Sequence, residues 1–554
     1  MRFAGFSLAL AGIFVGNALG QLPTINSDGT GVQNALSFVK EWAPNYGIAR
    51  GSIFAIFGTN LSSTTVSATL PLQTTLAGVT VNVTVNGTTT QALIFYLSAL
   101  QINVLLPSAT PAGTGTITVT TSAGTSAASP IQVVDSAFGL LTWNYGSGAA
   151  KGYDASIDTS NPYILFGGAS ADAANPGDVL ELYGTGLGPV TGDATGVPVS
   201  PPAQVYIGGI LASVQYSGRS GFIGEDQINV AVPSGVSGCY VSIAVVTGSY
   251  VSNFATLAVA PKGSRTCSDT VTPPLAAILN GIAQDGSYSL GTVSVSQSTS
   301  PGILGIGGGT TDSGSAGFFK YTAINTAAFA GAFAFSSVGS CSVWSFTASA
   351  NSQSEPDPFQ FTSLNAGPDV NITVPGGAII AMPQQTQAGV FSYNTPNADT
   401  SFIPAAGGSF TFDNGTGGPD VGAFKVTLQL APPVTWSNAA SISAVTRSTG
   451  VTVNWTGGDP STYVTISGLS IGSIGGSTTD FVAGLFNCRA PASADTFTVS
   501  PAVLLALPVS TSIEGISLST LSLSNDTFQT FTAQGLELGV AEASVATSVS
   551  ATYQ

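Results

Sequence analysis

The 554-residue chain contains no histidine and very few charged residues. Without histidine it cannot build a Ser-His-Asp or Cys-His triad, an HExxH zinc site or a histidine-ligated copper site. Charged residues make up 7% of the chain, whereas typical soluble domains have about 25%. Long soluble helices carry Glu, Lys and Arg on their wet side, while Ser, Thr, Asn and Gly suit strands and turns. The shortage of charge therefore argues against a helical fold.

Basic residues are the scarcer charged class, with 11 Lys and Arg against 27 Asp and Glu and a formal net charge of −16. Binding of nucleic acid needs a cationic surface, and so does attraction to an anionic membrane. We therefore expect neither nucleic acid nor membrane as a partner. The negative charge is expected to keep the protein soluble, and a cation-binding surface is the alternative.

Residues 1–20 have the pattern of a secretory signal peptide. Arg2 supplies positive charge, residues 6–15 are uncharged and mostly apolar, and small residues close the segment at Ala18 and Gly20. The apolar run is shorter than the ~20 residues that span a bilayer, which disfavours the alternative of an uncleaved anchor. We expect cleavage before Gln21, no transmembrane span, and a secreted or cell-surface location.

Four cysteines occur, at positions 239, 267, 341 and 488, and none forms a CxxC pair. An even count in a secreted chain favours disulfides, and four cysteines allow three pairings. Cys239 with Cys267 is the most local pairing, and loop entropy gives it about 3–4 kcal/mol. Cys341 with Cys488 then follows by elimination and would tie two C-terminal domains together.

An internal repeat organises the first half of the chain. The segment Gly51–Leu61 (GSIFAIFGTNL) recurs 126 residues later as Gly177–Leu187 (GDVLELYGTGL). The tetrapeptide QINV at Gln101–Val104 recurs at the same offset as Gln227–Val230. Two separate motifs that recur at the same offset indicate two copies of one domain.

The repeated units have the pattern of β-sandwich domains. Val79–Val85 alternates apolar and polar residues and meets Asn86-Gly87, a strong hairpin signal. Short strands separated by Gly, Pro and Asn turns, in units of about 100 residues, are typical of an immunoglobulin-like sandwich. The sequence pattern remains typical of β-strands to the end of the chain. We therefore predict an all-β protein of tandem immunoglobulin-like sandwiches, with the following units: 1–20 signal peptide, 21–135 first repeat, 136–268 connector and second repeat, 269–433 third sandwich, 434–554 fourth sandwich.

The repeat motifs resemble a known family. Asn34–Phe38, Gly51–Leu61 and the QINV segment at Gln101, together with 175–189 and 227–233, look like the uncharacterised C-terminal domain family of secreted Solibacter-type acidobacterial proteins. That family is similar in turn to the IPT/TIG group of immunoglobulin-like domains. The resemblance covers residues from about 30 to 260 and implies an extracellular Ig-like module, and it brings no catalytic residues.

Motifs that match catalytic patterns have simpler interpretations. Ser37 and Lys40 match SxxK without a KTG partner, and Ser470 lies in a GxSxG match without the histidine that a nucleophile elbow needs. The glycine-rich segment 302–309 fits neither GxGxxG nor the Walker A spacing. We therefore predict no catalytic, metal-binding or cofactor-binding residues and no cofactor.

Sparse carboxylates and aromatic residues are the remaining candidates. Glu225-Asp226 and Glu355 with Asp357 are acidic pairs for which turn or surface roles are expected, with calcium ligation and acid–base catalysis as alternatives. Core packing is the default for tryptophan in a sandwich, and a sugar-stacking platform is the alternative. The five tryptophans lie at positions 42, 143, 344, 436 and 455.

The sequence supports a non-enzymatic extracellular protein for adhesion or ligand binding, with a glycan or a surface protein as the expected partner. Sandwich domains recognise partners with loops or a strand face on a rigid scaffold. One alternative is a carbohydrate-active hydrolase with two carboxylates in one cleft between residues 270 and 554. Another is a structural component of the cell envelope that assembles with copies of itself.

Overall fold

The computed structural model describes residues 21–144, 146–156, 173–268, 287–300, 308–322, 337–349, 360–396, 401–513 and 516–554. The predicted signal peptide, most of the glycine-rich segment 302–309, and the pair Glu355 and Asp357 lie outside these residues. The regular secondary structure of the described residues consists almost entirely of β-strands, so the predicted all-β sandwich fold is confirmed. In the described ranges, no helix has the length and apolar character needed to cross a bilayer.

The first repeat forms a two-layer sandwich. One sheet has the strand order β1-β4-β10-β9-β5 with β2 on β4, and the other has β3-β13-β11-β7-β6 with β8 and β12 at its edges. The strands are β1 (Thr24–Ile25), β2 (Val32–Asn34), β3 (Ile48–Ala49), β4 (Ile53–Thr59), β5 (Val66–Ser67), β6 (Thr75–Leu76), β7 (Val79–Val85), β8 (Thr88–Gln91), β9 (Leu93–Leu97), β10 (Gln101–Leu105), β11 (Gly113–Thr121), β12 (Gly124–Thr125) and β13 (Ser129–Val134).

Strand β7 shows how the sequence dictates these layers. Its valines are buried in the core while the intervening Thr and Asn side chains lie toward the surface. The hairpin to β8 turns at Asn86 and Gly87, which have φ of 50° and 77°. Asparagine and glycine are the residues that tolerate this left-handed backbone. The opposite layer supplies Phe54, Ile56 and Val104 to the same core.

The second repeat has a core of its own, built from the alternate residues of a longer sheet path, β14-β18-β21-β20-β19-β22-β24-β16-β15. Strand β20 pairs with β21 along one part and with β19 along the other, so it passes from one layer to the next. The strands are β14 (Gly139–Leu140), β15 (Thr142–Asn144), β16 (Ser147–Ala150), β17 (Gly152–Asp154), β18 (Val179–Thr185), β19 (Gln204–Ile207), β20 (Ile210–Arg219), β21 (Asp226–Ala231), β22 (Gly238–Thr247), β23 (Tyr250–Val251) and β24 (Ala255–Val259).

A shared irregularity shows that the two repeats have the same local architecture. In the first repeat Asn103 pairs with Tyr96, and the register then shifts by one residue. In the second repeat Asn229 pairs with Tyr216, and the register shifts at the same place. A β-bulge of this kind re-aims the neighbouring side chains. The QINV strand and its bulged partner are therefore one structural unit that occurs in both repeats.

A buried polar cluster joins the two repeats. Arg219 forms an ion pair with Asp226, and both side chains are almost fully buried. The Nη2 group of Arg219 donates to the carbonyl oxygen of Gly188 at 2.7 Å and to that of Gly51, in the first repeat, at 3.0 Å. The second carboxylate oxygen of Asp226 accepts the backbone amides of Gly186 and Leu187 at 2.7 and 2.8 Å. A side chain at position 51 would collide with the guanidinium group.

The charge state of this cluster follows from its burial. Burial raises the pKa of Asp226 to about 6, while Arg219 and the two backbone amides oppose the shift. The carboxyl group is therefore still ionised at neutral pH and depends on its guanidinium partner. Because Arg219 satisfies both this carboxylate and a carbonyl of the first repeat, the two sandwiches share one hydrogen-bonded interior.

Thirteen of the strands from residue 287 onward form one continuous sheet, with the order β27-β38-β37-β42-β43-β25-β26-β31-β30-β29-β32-β33 and β28 on β26. The remaining strands form three small sheets, β34-β36-β39, β35-β44 and β40-β41. The 13-stranded sheet crosses the boundary predicted at residue 433, because β25 pairs in parallel with β43. The strands are β25 (Ser287–Ser300), β26 (Gly309–Thr322), β27 (Cys341–Ser349), β28 (Gln360–Ser363), β29 (Asp369–Thr373), β30 (Ile379–Gln387), β31 (Val390–Asn394), β32 (Gly408–Asp413), β33 (Lys425–Leu430), β34 (Val434–Trp436), β35 (Ala444–Val445), β36 (Val451–Gly457), β37 (Tyr463–Ser473), β38 (Asp480–Pro491), β39 (Thr496–Val499), β40 (Ser512–Ile513), β41 (Ile516–Ser517), β42 (Thr520–Phe531), β43 (Leu538–Ser550) and β44 (Thr552–Tyr553).

Two hydrophobic cores lie along this sheet. One is built around Phe318, Phe410 and Phe412 and also takes Ala541 and Ala543 from β43. The other contains Trp455 and Tyr553 and is partly closed by the short helix α1 (Pro501–Leu505). Short 3-10 turns cover Thr191–Asp193, Ala439–Ser441 and Ala492–Ala494.

Both cysteine pairs form disulfides. Cys239 bonds to Cys267 over a separation of 28 residues, and Cys341 bonds to Cys488 over 147 residues. The sequence predicted that the second bond would tie two separate domains together, but the two cysteines lie in the same sheet. Cys341 and Cys488 are direct neighbours in register on β27 and β38, and both side chains pack in one core.

The buried ion pair predicts a large loss of stability when it is broken. Arg219→Ala leaves the Asp226 carboxylate uncompensated in the interior, which typically costs about 3–5 kcal/mol. Arg50→Ala is the matched control, because Arg50 pairs with Asp135 at the surface and such pairs contribute about 0–1 kcal/mol. Urea unfolding of the mature protein measures both. Equal losses for the two variants would show that the buried cluster does not hold the repeats together.

Candidate binding face

The outer face of the second repeat carries a cluster of tyrosines and amides. Strands β18 and β21 alternate strictly, so Leu180, Leu182, Ile228 and Val230 enter the core while the intervening residues lie toward the surface. Four of the surface residues form one row across β17, β18, β21 and β20, because each faces the next in register. The row consists of Tyr153, Glu181, Asn229 and Tyr216.

A second row lies one pleat further along the same strands. It runs from Tyr183 on β18 to Gln227 on β21 and Gly218 on β20. The Nε2 group of Gln227 donates to Oδ1 of Asn229 at 2.8 Å, which links the two rows on the central strand. We call the six side chains of the two rows the tyrosine–amide face: Tyr153, Glu181, Tyr183, Tyr216, Gln227 and Asn229.

Two of the tyrosine rings lie along their strands. The Tyr216 hydroxyl donates to the carbonyl oxygen of Arg219, three residues further on in β20, at 2.6 Å. Its ring therefore runs over Gly218, where an added Cβ would lie 2.8 Å from the Tyr216 hydroxyl oxygen. The Tyr183 hydroxyl donates to the carboxylate of Glu181, two residues back in β18, at 3.2 Å. Both rings thus fill the space between the two rows, on either side of β21.

The third tyrosine closes one end of the face. Tyr153 contacts Tyr183 edge-on, with ring centroids 5.8 Å apart and an interplanar angle of 83°, and its side chain is 36% exposed. Burial raises the pKa of Tyr183 well above its ordinary value, and the nearby charge and hydrogen bond of Glu181 raise it further. The hydroxyl of Tyr183 therefore stays protonated at physiological pH and remains a hydrogen-bond donor.

The equivalent face of the first repeat is partly covered by its own chain, and it keeps a half-buried tyrosine, Tyr96, at the register position of Tyr216. Gln101 and Asn103 form the same amide pair, at the same 2.8 Å, and Phe57 takes the place of Tyr183. Phe38, in a left-handed conformation with φ of 52°, packs against Phe57 with ring centroids 6.3 Å apart. Gln33, which occupies the register position of Tyr153, is buried and donates to the Phe38 carbonyl oxygen.

An ionic anchor holds β17 from beneath. Asp154 follows Tyr153 and points to the interior, where the Nη1 group of Arg265 lies 3.1 Å from its carboxylate and 2.6 Å from that of Asp178. Arg265 is two residues before Cys267, so the disulfide to Cys239 fixes the segment that carries the guanidinium group. Burial, followed by a hydrogen bond with Asp178, raises the pKa of Asp154 to about 6.

Only Trp143 of the five tryptophans considered for a sugar platform is exposed, and Trp436 and Trp455 face each other in register inside a core. Trp455 and Trp436 are buried in the C-terminal core, as the default interpretation expects. Trp42 and Trp344 are half-buried. Trp143 is exposed on β15 in the connector, and Lys151 lies over its ring at 4.6 Å from the centroid.

The residues of the catalytic motifs have structural surroundings. Ser470 is fully buried inside β37, with no strand-to-helix elbow, and its hydroxyl donates to the Pro508 carbonyl at 2.7 Å. Ser37 is nearly buried. Lys40 lies over the Trp42 ring, 5.5 Å from its centroid. The GxSxG and SxxK matches therefore place no nucleophile at an open site.

The acidic residues take different roles. The pair Glu225 and Asp226 is divided, because Asp226 enters the buried cluster and Glu225 accepts the Ser220 hydroxyl at 2.7 Å. Within 270–554, Asp526 and Glu542 lie on the neighbouring strands β42 and β43. Burial, followed by the charge of Asp526, raises the pKa of Glu542 to about 7.

The tyrosines of the face were not among the residues expected from the sequence. A signal was present in two places: the alternation VLELY in β18 puts Glu181 and Tyr183 on one side, and QIN in β21 puts Gln227 and Asn229 on one side. Nothing local assigns Tyr153 and Tyr216 to the same surface, because β17 and β20 come from distant segments of the chain.

Comparison with known proteins adds little to this geometry. No family model matches the chain, and no curated protein matches it. Among solved structures, SGBP-B from the Bacteroides ovatus mixed-linkage glucan utilization locus, in complex with a mixed-linkage heptasaccharide, is 13% identical over 53% of this chain and 83% of its own, with a TM-score of 0.20. Titin domains A168–A170 are 13% identical over 67% and 88% (TM-score 0.13), and SGBP-B from a Bacteroides uniformis xyloglucan utilization locus is 11% identical over 69% and 89% (TM-score 0.16). At such TM-scores these likenesses carry no argument about function.

The anchor beneath β17 predicts a pH effect on stability. A carboxyl group with a raised folded-state pKa stabilises the fold fully below its unfolded pKa, and that contribution is lost as pH rises through about 6. Asp154→Asn mimics the protonated form, so we expect a smaller fall in melting temperature between pH 4.5 and 8, by about 2–4 °C. Asp135→Asn, at an exposed carboxylate, should leave the fall unchanged. If Asp154→Asn lowers the melting temperature equally at both pH values, the ionised carboxylate is the stabilising form.

Proposed function

We propose that the protein is a non-enzymatic extracellular binding protein and that the tyrosine–amide face of its second repeat binds a glycan. The observation that carries this proposal is the arrangement of Tyr183 and Tyr216, whose rings lie along their strands on either side of the amide pair. The two disulfides and the signal-like N-terminus fit an oxidising, extracellular location.

The chemistry of the face suits a carbohydrate. A sugar ring has an apolar C–H face that packs on an aromatic ring, and hydroxyls around its edge that need donors and acceptors. The rings of Tyr183 and Tyr216 supply the aromatic surface. Gln227 and Asn229 lie between them and supply amide donors and acceptors, and Glu181 supplies acceptors.

Hydrolysis is the alternative that a specific pair of residues favours. Burial, followed by the charge of Asp526 on the next strand, raises the pKa of Glu542 to about 7, and a carboxyl group that is protonated near neutral pH is what a general acid requires. The Asp526 oxygens are, however, hydrogen-bonded to the hydroxyls of Ser544 at 2.7 Å and Ser524 at 3.1 Å. These bonds satisfy the carboxylate within the sheet, so a structural role explains the pair without a substrate.

Binding is tested with the purified mature protein and a panel of insoluble and soluble neutral polysaccharides. We expect depletion onto at least one glycan, and a loss of affinity of about tenfold or more, equal to about 1.4 kcal/mol, for Tyr183→Ala and for Tyr216→Ala. Phe346→Ala is the matched control, since it removes an exposed aromatic ring from the C-terminal sheet and should bind as the wild type does.

Other outcomes would contradict the proposal in distinct ways. Release of reducing ends that is abolished by Glu542→Gln would establish the hydrolase. Ordered self-assembly without glycan binding would favour an envelope component. Glycan binding that is lost in Phe346→Ala but kept in both tyrosine variants would place the site elsewhere.

A further inference from the structure

We infer that the ligand is a neutral linear glycan chain that crosses the strands of the second repeat and needs about three to four consecutive sugar units for full affinity. This inference rests on the proposed function and specifies its ligand class. It follows from the spacing of the tyrosines, from the charge of the face, and from the differences at the equivalent face of the first repeat.

The spacing of the rings sets the length of the ligand. Neighbouring strands lie about 4.8 Å apart, close to the length of one pyranose unit in an extended chain, about 5 Å. Tyr183 and Tyr216 are separated by the single strand β21, so their strands lie about 10 Å apart. A sugar on each ring therefore leaves one sugar between them, over Gln227 and Asn229.

Tyr153 extends the line at one end. Its strand, β17, lies beyond β18, so Tyr153 is three strand spacings from Tyr216, about 14 Å. Tyr153 contacts Tyr183 edge-on, so the exposed side of the Tyr153 ring borders the end of the row. A single sugar can contact one of the two strand-parallel rings, whereas a chain of about three units contacts both and a fourth unit reaches Tyr153.

The charge of the face selects against acidic glycans. Glu181 lies in the first row, and the charges of Glu181 and Glu225 both act on Tyr183. The whole chain carries a formal net charge of −16. A glycan with carboxylate or sulfate groups would bring like charges to this surface, which lowers both the encounter rate and the affinity. A neutral glycan instead donates hydrogen bonds from its hydroxyls to the Glu181 carboxylate.

Each protein molecule should bind one glycan, at its second repeat. The first repeat presents the same amide pair at Gln101 and Asn103, but Phe57, which has no hydroxyl, takes the place of Tyr183. Gln33, at the register position of the exposed Tyr153, is buried. Ala55, at the register position of Glu181, is fully buried. The first repeat therefore keeps the amide pair of the site but lacks the tyrosine hydroxyl of Tyr183, the acceptor of Glu181 and the exposed ring of Tyr153.

Calorimetry with length-graded oligosaccharides tests the inference on the full mature protein. The probes are gluco-, xylo- and manno-oligosaccharides of one to six units, with oligogalacturonates as anionic counterparts. For the series that binds, we expect affinity to rise at least about tenfold, or about 1.4 kcal/mol, between one and three units and to change little beyond four. The stoichiometry should be one, and the oligogalacturonates should bind more weakly than neutral chains of equal length.

Variants separate the end of the site from its centre. Tyr153→Ala should keep the affinity for a trisaccharide and lose the smaller gain from the fourth unit. Tyr183→Phe removes the hydroxyl bond to Glu181 but keeps the ring, so it should retain most of the affinity at every length. Tyr183→Ala should weaken binding at every length.

The failures of the two proposals can be told apart. No binding of any glycan by the wild type overturns the proposed function itself. Binding that depends on Tyr183 and Tyr216 but is equal for one and six units overturns only the inference about length. A stoichiometry of two would show that the first repeat also binds, and tighter binding of oligogalacturonates would refute the neutral class.

Discussion

The architecture of the first half of the protein depends on one buried charge. Asp226 lies in the interior between the repeats, where an isolated carboxylate would be very costly. Arg219 compensates it, and the same guanidinium group hydrogen-bonds to carbonyl oxygens of Gly51 and Gly188. Because Arg219 ends β20 and Asp226 begins β21, satisfying this charge fixes the two strands that carry Tyr216, Gln227 and Asn229.

The tyrosine–amide face is thus supported from below at two places. The Arg219 cluster holds β20 and β21, and the Arg265 anchor holds Asp154 at the end of β17. A rigid sheet presents aromatic rings at fixed spacing, which reduces the ordering cost of binding. The absence of a side chain at Gly218 is part of the same arrangement, because the Tyr216 ring lies over that position.

The C-terminal half uses strand pairing where the first half uses a polar cluster. A single sheet passes from one hydrophobic core to the next, and β43 contributes alternate residues to the first of them while pairing with both β25 and β42. The Cys341–Cys488 disulfide then joins two adjacent strands of that sheet. The parallel pairing of β25 with β43 brings together segments about as far apart in sequence as this half of the chain allows.

The sequence by itself determined the all-β class, because the low charge, the period-two alternation in segments such as Val79–Val85 and the Asn-Gly turn are local properties that only strands satisfy. It also determined the repeat, since both copies of QINV lie on equivalent bulged strand pairs. The sequence also predicted the bond between Cys239 and Cys267, because these two cysteines are the closest pair along the chain. Only the tertiary structure decided which surfaces are covered. Phe57 and Tyr183 occupy equivalent positions in the repeat, yet Phe38 packs on one and Tyr153 borders the other. That difference arises from segments outside the two stretches that recur at the offset of 126 residues. No local sequence pattern encodes where such segments pack in the fold.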